Sequence, residues 1–276
     1  MVFVKNEKKR FQVDNLKKER ANVCGLFWKS YDQKNRFMFD KMLKEEIEKK
    51  SNRLLFDLFW KADSKHLFIG EGDLPFDKAC LLRFTDTNDL INFLESPILN
   101  KLQEFFKNNG DKLEIMVLKE RPLPKVLKLL IVIFKALGKL IPFSKFKGQK
   151  KNDFENFGGI NPRLDQINSF KDSKLEGPYH MINFLSFKGK QGFKDYQKYG
   201  LVALRGVIFL GGRLAFIGQV INDTEDEWNQ LAIMEYPTID SFMNLVHMPG
   251  YAKATFWRAK GLLKTLLVIS KPSNKS

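Results

Sequence analysis

The sequence predicts an α+β protein in which two copies of one βαββαβ unit pack sheet to sheet as an intramolecular barrel, joined by an amphipathic helical linker. Three observations carry this expectation. The chain repeats itself, both repeats show the same order of apolar strands and amphipathic helices, and each sheet keeps a second apolar face that needs cover.

The repeat is clearest where 76–119 aligns without a gap on 228–271, an offset of 152 that sets Pro97 on Pro249. Leu113, Ile115 and Val117 fall on Thr265, Leu267 and Ile269. Upstream, Leu67-Phe-Ile-Gly matches Ala215-Phe-Ile-Gly at an offset of 148, and 23–29 resembles 182–188. The indels fall between elements, where connections tolerate them.

Each copy opens with an apolar strand, 21–29 or 179–188, followed by a helix, 35–50 or 193–209. Two strands then pair, 54–69 with 78–84 and 213–220 with 230–236. Asp86 and Thr238 stand as helix caps, because a short oxygen-bearing side chain can accept the unpaired N–H groups of a first turn. A last strand, 113–119 or 264–270, completes a ferredoxin-like unit. The expected organisation is a basic N-terminal segment (1–20), a degenerate first unit (21–120), a basic linker with an irregular connection (121–177), and a second unit (178–276).

Composition narrows the function classes. With 43% hydrophobic and 29% charged residues, the chain is globular rather than disordered. A net charge of +15 points to an anionic partner, a phospholipid surface or a nucleic acid. Cys24 and Cys80 sit in apolar runs without a CxxC pair, the pattern of buried reduced thiols in a reducing cytoplasm. The charged N-terminus lacks a signal-peptide core. The greasy run 126–143 is broken by Lys128, Lys135 and Lys139, and a spanning helix needs about 20 mostly apolar residues.

That run is the most informative functional feature. Between Arg121 and Lys151 there are nine basic residues and no acid. On a helix started by Pro124 and ended by Pro142, Lys125, Lys128, Lys135 and Lys139 share one narrow face and aliphatic residues cover the rest. Such a helix fits a membrane interface, with Lys145 and Lys147 adding charge toward anionic headgroups. The alternative is a helix whose broad apolar face packs on both units. Nucleic acid is disfavoured, since the lysines alternate with aliphatics and no recognition motif occurs. The expected location is cytoplasmic, peripheral at the inner membrane face.

In the second copy, His180-Met-Ile-Asn-Phe-Leu-Ser-Phe-Lys, Tyr196-Gln-Lys-Tyr-Gly, Gly211-Gly-Arg, Trp228, Met234-Glu-Tyr-Pro-Thr, Pro249-Gly-Tyr and Arg258 follow in order. Over 178–271 this series resembles the domain-of-unknown-function family numbered 1330, within the dimeric α+β barrel superfamily. The resemblance implies the fold. Its superfamily holds cofactor-independent monooxygenases, haem-degrading enzymes, small cyclases and proteins without known activity, so it implies no one reaction.

Asn183 and Glu235 are pocket candidates, because polar groups in apolar strands are costly unless paired. His180 can be read as a general base or as a hydrogen-bonded structural residue; it lies three positions from Asn183, so a regular strand turns the two to opposite faces. Tyr196, Tyr199, Tyr236, Tyr251 and Trp257 can line a site for a flat apolar ligand or belong to the core. Arg258 can pair with Glu235 or with a ligand carboxylate. The first copy has Cys24, Arg83, Leu99 and Phe106 where the second has Asn183, Glu235, Tyr251 and Arg258, so a polar pocket belongs to the second. No metal-ligand spacing, nucleotide loop or nucleophile triad is present, and no cofactor is expected. The expectation is a membrane-associated barrel holding a small apolar ligand in its core. The alternatives are a cofactor-independent monooxygenase- or isomerase-like enzyme and a non-catalytic scaffold.

Overall fold

The computed structural model describes residues 13–32, 56–140, 160–221 and 228–273, together with positions 35, 38, 41 and 45. Its strands are β1 (Val23–Lys29), β2 (Phe56–Ile69), β3 (Lys78–Phe84), β4 (Lys112–Glu120), β5 (Tyr179–Phe187), β6 (Arg213–Val220), β7 (Gln230–Tyr236) and β8 (Leu262–Pro272). They close into an antiparallel barrel in the order β1-β3-β2-β8-β5-β7-β6-β4. The seams between the halves are β2 on β8 and the shorter β4 on β6, the latter Leu118↔Val220 to Glu120↔Gly218. Closure leaves no open sheet edge.

The described helices are α1 (Val13–Glu19), α2 (Thr87–Leu94), α3 (Pro97–Asn108), α4 (Lys125–Leu140), α5 (Leu164–Asp172), α6 (Gly189–Phe209), α7 (Ile239–Met243) and α8 (Tyr251–Gly261), with a 3-10 turn at Asn244–His247. Asp86 accepts from the N–H groups of Asn88 and Asp89, and Thr238 from that of Ser241, as N-caps. Of the helix expected at 35–50, only positions 35, 38, 41 and 45 are described, and these are helical.

Two expectations are corrected. The connection 152–177 is not irregular throughout, because α5 forms in it. The Gln166 side chain accepts the Arg163 N–H at the helix start, and Phe170 is buried against Phe68 and Tyr179. The alignment of the first strands is also two residues off. Residues 152 positions beyond Leu82 and Val117 are Met234 and Ile269; Leu82 and Val117 flank Cys24, whereas Met234 and Ile269 flank Met181. Leu26, paired with Cys80, therefore takes the ladder position of Asn183, paired with Ala232.

Alternation along the strands sorts the side chains. Val23, Trp60, Leu81, Leu118, Ile182, Phe216, Ile233 and Val268, from all eight strands, form one cluster inside the barrel. Phe27, Phe76 and Phe184 meet edge to face there, with ring centroids 5.2–5.9 Å apart. The interior is thus a filled core, which corrects the expectation of a ligand within it. On the outer face of the first half, Cys24, Leu26 and Leu82 pack with Leu90, Phe93, Leu99, Leu102 and Phe106. The outer face of the second half is covered by α6, α8, the turn before α8 and part of α5.

Candidate functional site

A cavity of about 1300 Å³ lies on that outer face, between the second-half sheet and α6. It exceeds the ~300–1,000 Å³ usual for small-ligand sites. Its floor is the odd-numbered face of β5, Met181 and Asn183, with Ala232, Met234 and Tyr236 of β7 and Leu214 and Ile217 of β6. Its roof is α6, through Tyr196, Tyr199, Ala203, Leu204 and Val207, and one wall is α8, through Tyr251, Thr255 and Arg258. Leu164 of α5 and Leu201 of α6 line it while 72% and 59% exposed, which marks its mouth. Leu127 of α4 borders it too.

Six of the eight sequence candidates line this cavity: Asn183, Tyr196, Tyr199, Tyr236, Tyr251 and Arg258. Asn183 donates through Nδ2 to the carbonyls of Met181 and Ala232, at 3.0 and 3.2 Å. Among the described residues nothing donates to its Oδ1, which is left as an acceptor. The hydroxyls of Tyr199 and Tyr251 are 3.1 Å apart. Burial pushes the phenols of Tyr196, Tyr236 and Tyr251 above the ordinary tyrosine range, so they remain neutral donors. Nη1 of Arg258 donates to the Ile160 carbonyl and, at 2.8 Å, to Oδ1 of Asn161. Arg258 does not reach Glu235, the protein partner considered for it.

His180 and Glu235 lie off the cavity, on the opposite sheet face. His180 Nδ1 accepts from the Trp60 indole at 2.8 Å, and its Nε2 lies 3.0 Å from Glu235 Oε2. Indole nitrogen only donates, so the imidazole is the neutral Nε2–H tautomer with no lone pair left over. Burial lowers the His180 pKa and outweighs the raising effect of Glu235. Arg213 clamps Glu235 with two hydrogen bonds and holds its carboxyl below the usual range against the effect of burial. The separation of His180 from Asn183 follows from strand parity. Trp257 is also outside the cavity, under the ammonium groups of Lys198 and Lys260.

The candidate list lacks His247, Gln230 and Asn161, which also line the cavity. Nδ1 of His247 is buried there without a hydrogen-bond partner among the described residues. Its place in the break around Pro249 resembles a surface turn in sequence, and only the packing of that turn over α6 reveals otherwise. Among the described residues no cluster of His, Cys, Asp or Glu could hold a metal ion.

Helix α4 runs between the prolines as expected and packs on α6. Leu127, Ile131 and Phe134 are half-buried on one face. Gly138 is needed at the contact, since a Cβ there would lie 2.4 Å from the Phe209 carbonyl oxygen. Val126, Leu129, Val132 and Leu140 are 62–77% exposed on another face, and Lys125, Lys128 and Lys135 are exposed as well. Lys145 and Lys147 lie outside the described residues. Among the described residues, no helix is long and apolar enough to cross a membrane.

No family model matches the chain, and no curated protein matches it in sequence. Among solved structures, the chain is similar to an anthrone oxidase-like protein at 8% identity and a TM-score of 0.50, covering 93% of this chain and 92% of that one. This likeness extends to the fold alone. RPA0582 of Rhodopseudomonas palustris, a protein of unknown function, is 26% identical over 42% of this chain and 97% of its own, with a TM-score of 0.38. A chlorite dismutase variant from Candidatus Nitrospira defluvii matches at 12% identity and a TM-score of 0.42, over 91% of this chain and 92% of that one. The resemblance of 178–271 to the family numbered 1330 therefore rests on the residues quoted for it.

Proposed function

We propose that the chain is a peripheral membrane protein, built from two ferredoxin-like units in tandem, that binds a small, mostly apolar molecule in the cavity of its second half. One observation carries this reading: α4 borders the cavity and exposes an apolar surface at once. Its Leu127 borders the cavity, whereas Val126, Leu129, Val132 and Leu140 face outward beside Lys125, Lys128 and Lys135. A surface helix ordinarily turns its apolar stripe to the core, and a contiguous exposed stripe marks a contact site. Lysines flanking aliphatics suit headgroups above and acyl chains below; each basic residue near an anionic leaflet adds about 1 kcal/mol. The inner, anionic face of the cytoplasmic membrane is the surface this charge would choose.

The tandem reading is supported by the matched caps Asp86 and Thr238 and by β3 and β7, which begin and end 152 residues apart. The enzymatic alternative would use the same cavity. His180 is not available as its base, because its lone pair is already engaged, whereas the His247 side chain lines the cavity.

Flotation on phosphatidylcholine vesicles with and without phosphatidylglycerol tests the membrane reading. The wild type is expected to float with the anionic vesicles, and a Leu129→Glu/Val132→Glu variant, altered only at exposed positions, to stay at the bottom. Equal flotation of the two, or none by the wild type, would overturn it.

A further inference from the structure

We infer that the ligand of this cavity carries a carboxylate or an equivalent anionic head, and that Arg258 receives it. The inference rests on the cavity reading above and names the chemistry of its occupant. Arg258 is only 8% exposed, and a guanidinium cannot shed its charge by losing a proton. A buried charge is costly unless a counter-charge and hydrogen bonds compensate it. Here Nη1 is engaged by two neutral oxygens, Ile160 O and Asn161 Oδ1, and the guanidinium lies 5.9 Å from the centroid of the Tyr199 ring, a contact that supplies no counter-charge. Among the described residues no carboxylate pairs with Arg258, and nothing accepts from its Nε or Nη2. Those two nitrogens form one edge of the planar fork, the edge that binds a carboxylate through two parallel hydrogen bonds.

The surroundings agree with this assignment. Arg258 lines the cavity together with Tyr199 and Tyr251, whose paired hydroxyls can supply a further donor. Met181, Leu204, Ile217 and Met234 on the walls suit an aromatic or aliphatic body, and the other cations of the lining, Arg121, Arg163 and Lys171, are not buried. The fold itself does not require a cation here. At the position 152 residues earlier stands Phe106, 1% exposed in the apolar packing of the first half.

The test measures binding of anthracene-9-carboxylate and its neutral carbinol, 9-anthracenemethanol, by fluorescence at neutral pH and moderate salt. The wild type is expected to prefer the carboxylate by about tenfold or more, the scale of a charge-assisted pair. In Arg258→Met the ratio of carboxylate to carbinol affinity should fall to about one. Equal affinity of the wild type for both probes would overturn the head-group assignment and leave the cavity reading standing. Failure of both probes to bind would overturn the two together. Should Arg258→Met not fold, Tyr199→Phe/Tyr251→Phe must lower the carboxylate preference, and an unchanged ratio would count against the site.

Discussion

The indole N–H of Trp60 in β2 is bonded to Nδ1 of His180 in β5 at 2.8 Å, reaching past the intervening β8 and linking the two halves inside the barrel. Beyond it the chain of contacts runs to Glu235 and out to Arg213 at the surface. The barrel end is therefore locked by a polar string whose inner members are buried.

Replacing Trp60 by Phe keeps most of the ring volume but strands the His180 lone pair. Leaving a buried acceptor unpaired costs about 1–3 kcal/mol. The urea midpoint should fall accordingly. Arg213→Ala, which breaks an ion pair at a side chain 67% exposed, should cost no more than about 1 kcal/mol. Equal losses from the two variants would contradict the assignment.

Acid should destabilise the fold before carboxylates titrate. The His180 pKa is depressed below 6.5, so the unfolded chain takes up a proton that the folded chain refuses. This contribution is complete above about 6.5 and is lost as pH falls toward the lowered folded value. Glu235, also depressed, contributes in the same direction, but below its ordinary 4.5. In Trp60→Phe the first window should flatten, because the freed Nδ1 can accept a proton. Denaturation curves between pH 7 and 5 read this directly.

Neither cysteine should react in the native state. Cys24 and Cys80 are fully buried, and burial pushes the Cys24 thiol far above its ordinary range. A thiol-specific chromogenic reagent should titrate none before denaturation and two after it. One fast thiol in native buffer would show that the outer packing of the first half is open.

Gly138→Leu should lift α4 from α6, since its Cβ would collide with the backbone at Phe209. Limited proteolysis within 121–140 should accelerate, with the barrel unfolding midpoint little changed. An unaltered cleavage rate would mean that α4 is held elsewhere.

Much of the barrel is legible in the sequence, and the reasons are local. β3, β6 and β7 occupy the residues expected of them, because short apolar runs between turn signals fix their ends. α4 starts directly after Pro124, whose fixed φ suits the first position of a helix. The slip of Cys24 against Asn183 escapes notice because a shift of two residues preserves the alternation of faces. Helix α5 hides because its apolar signal is only Leu164, Ile167 and Phe170, and Phe170 acquires its meaning by stacking on His66. Which sheet face holds the cavity is likewise not local. It depends on the phenylalanines 27, 76 and 184 filling the interior, while the outer face beneath α6 is left with Asn183 and Ala232, where the first half has Leu26 and Cys80.

The most direct measurement is photolabelling with a diazirine-bearing aliphatic carboxylate, followed by peptide mapping. Saturable label on β5, α6 and β7, at residues such as Met181, Leu204 and Met234, displaced by unlabelled carboxylate, is the result expected of a ligand cavity outside the barrel. Label that does not saturate, or that falls only on the outward leucines of α4, would contradict it.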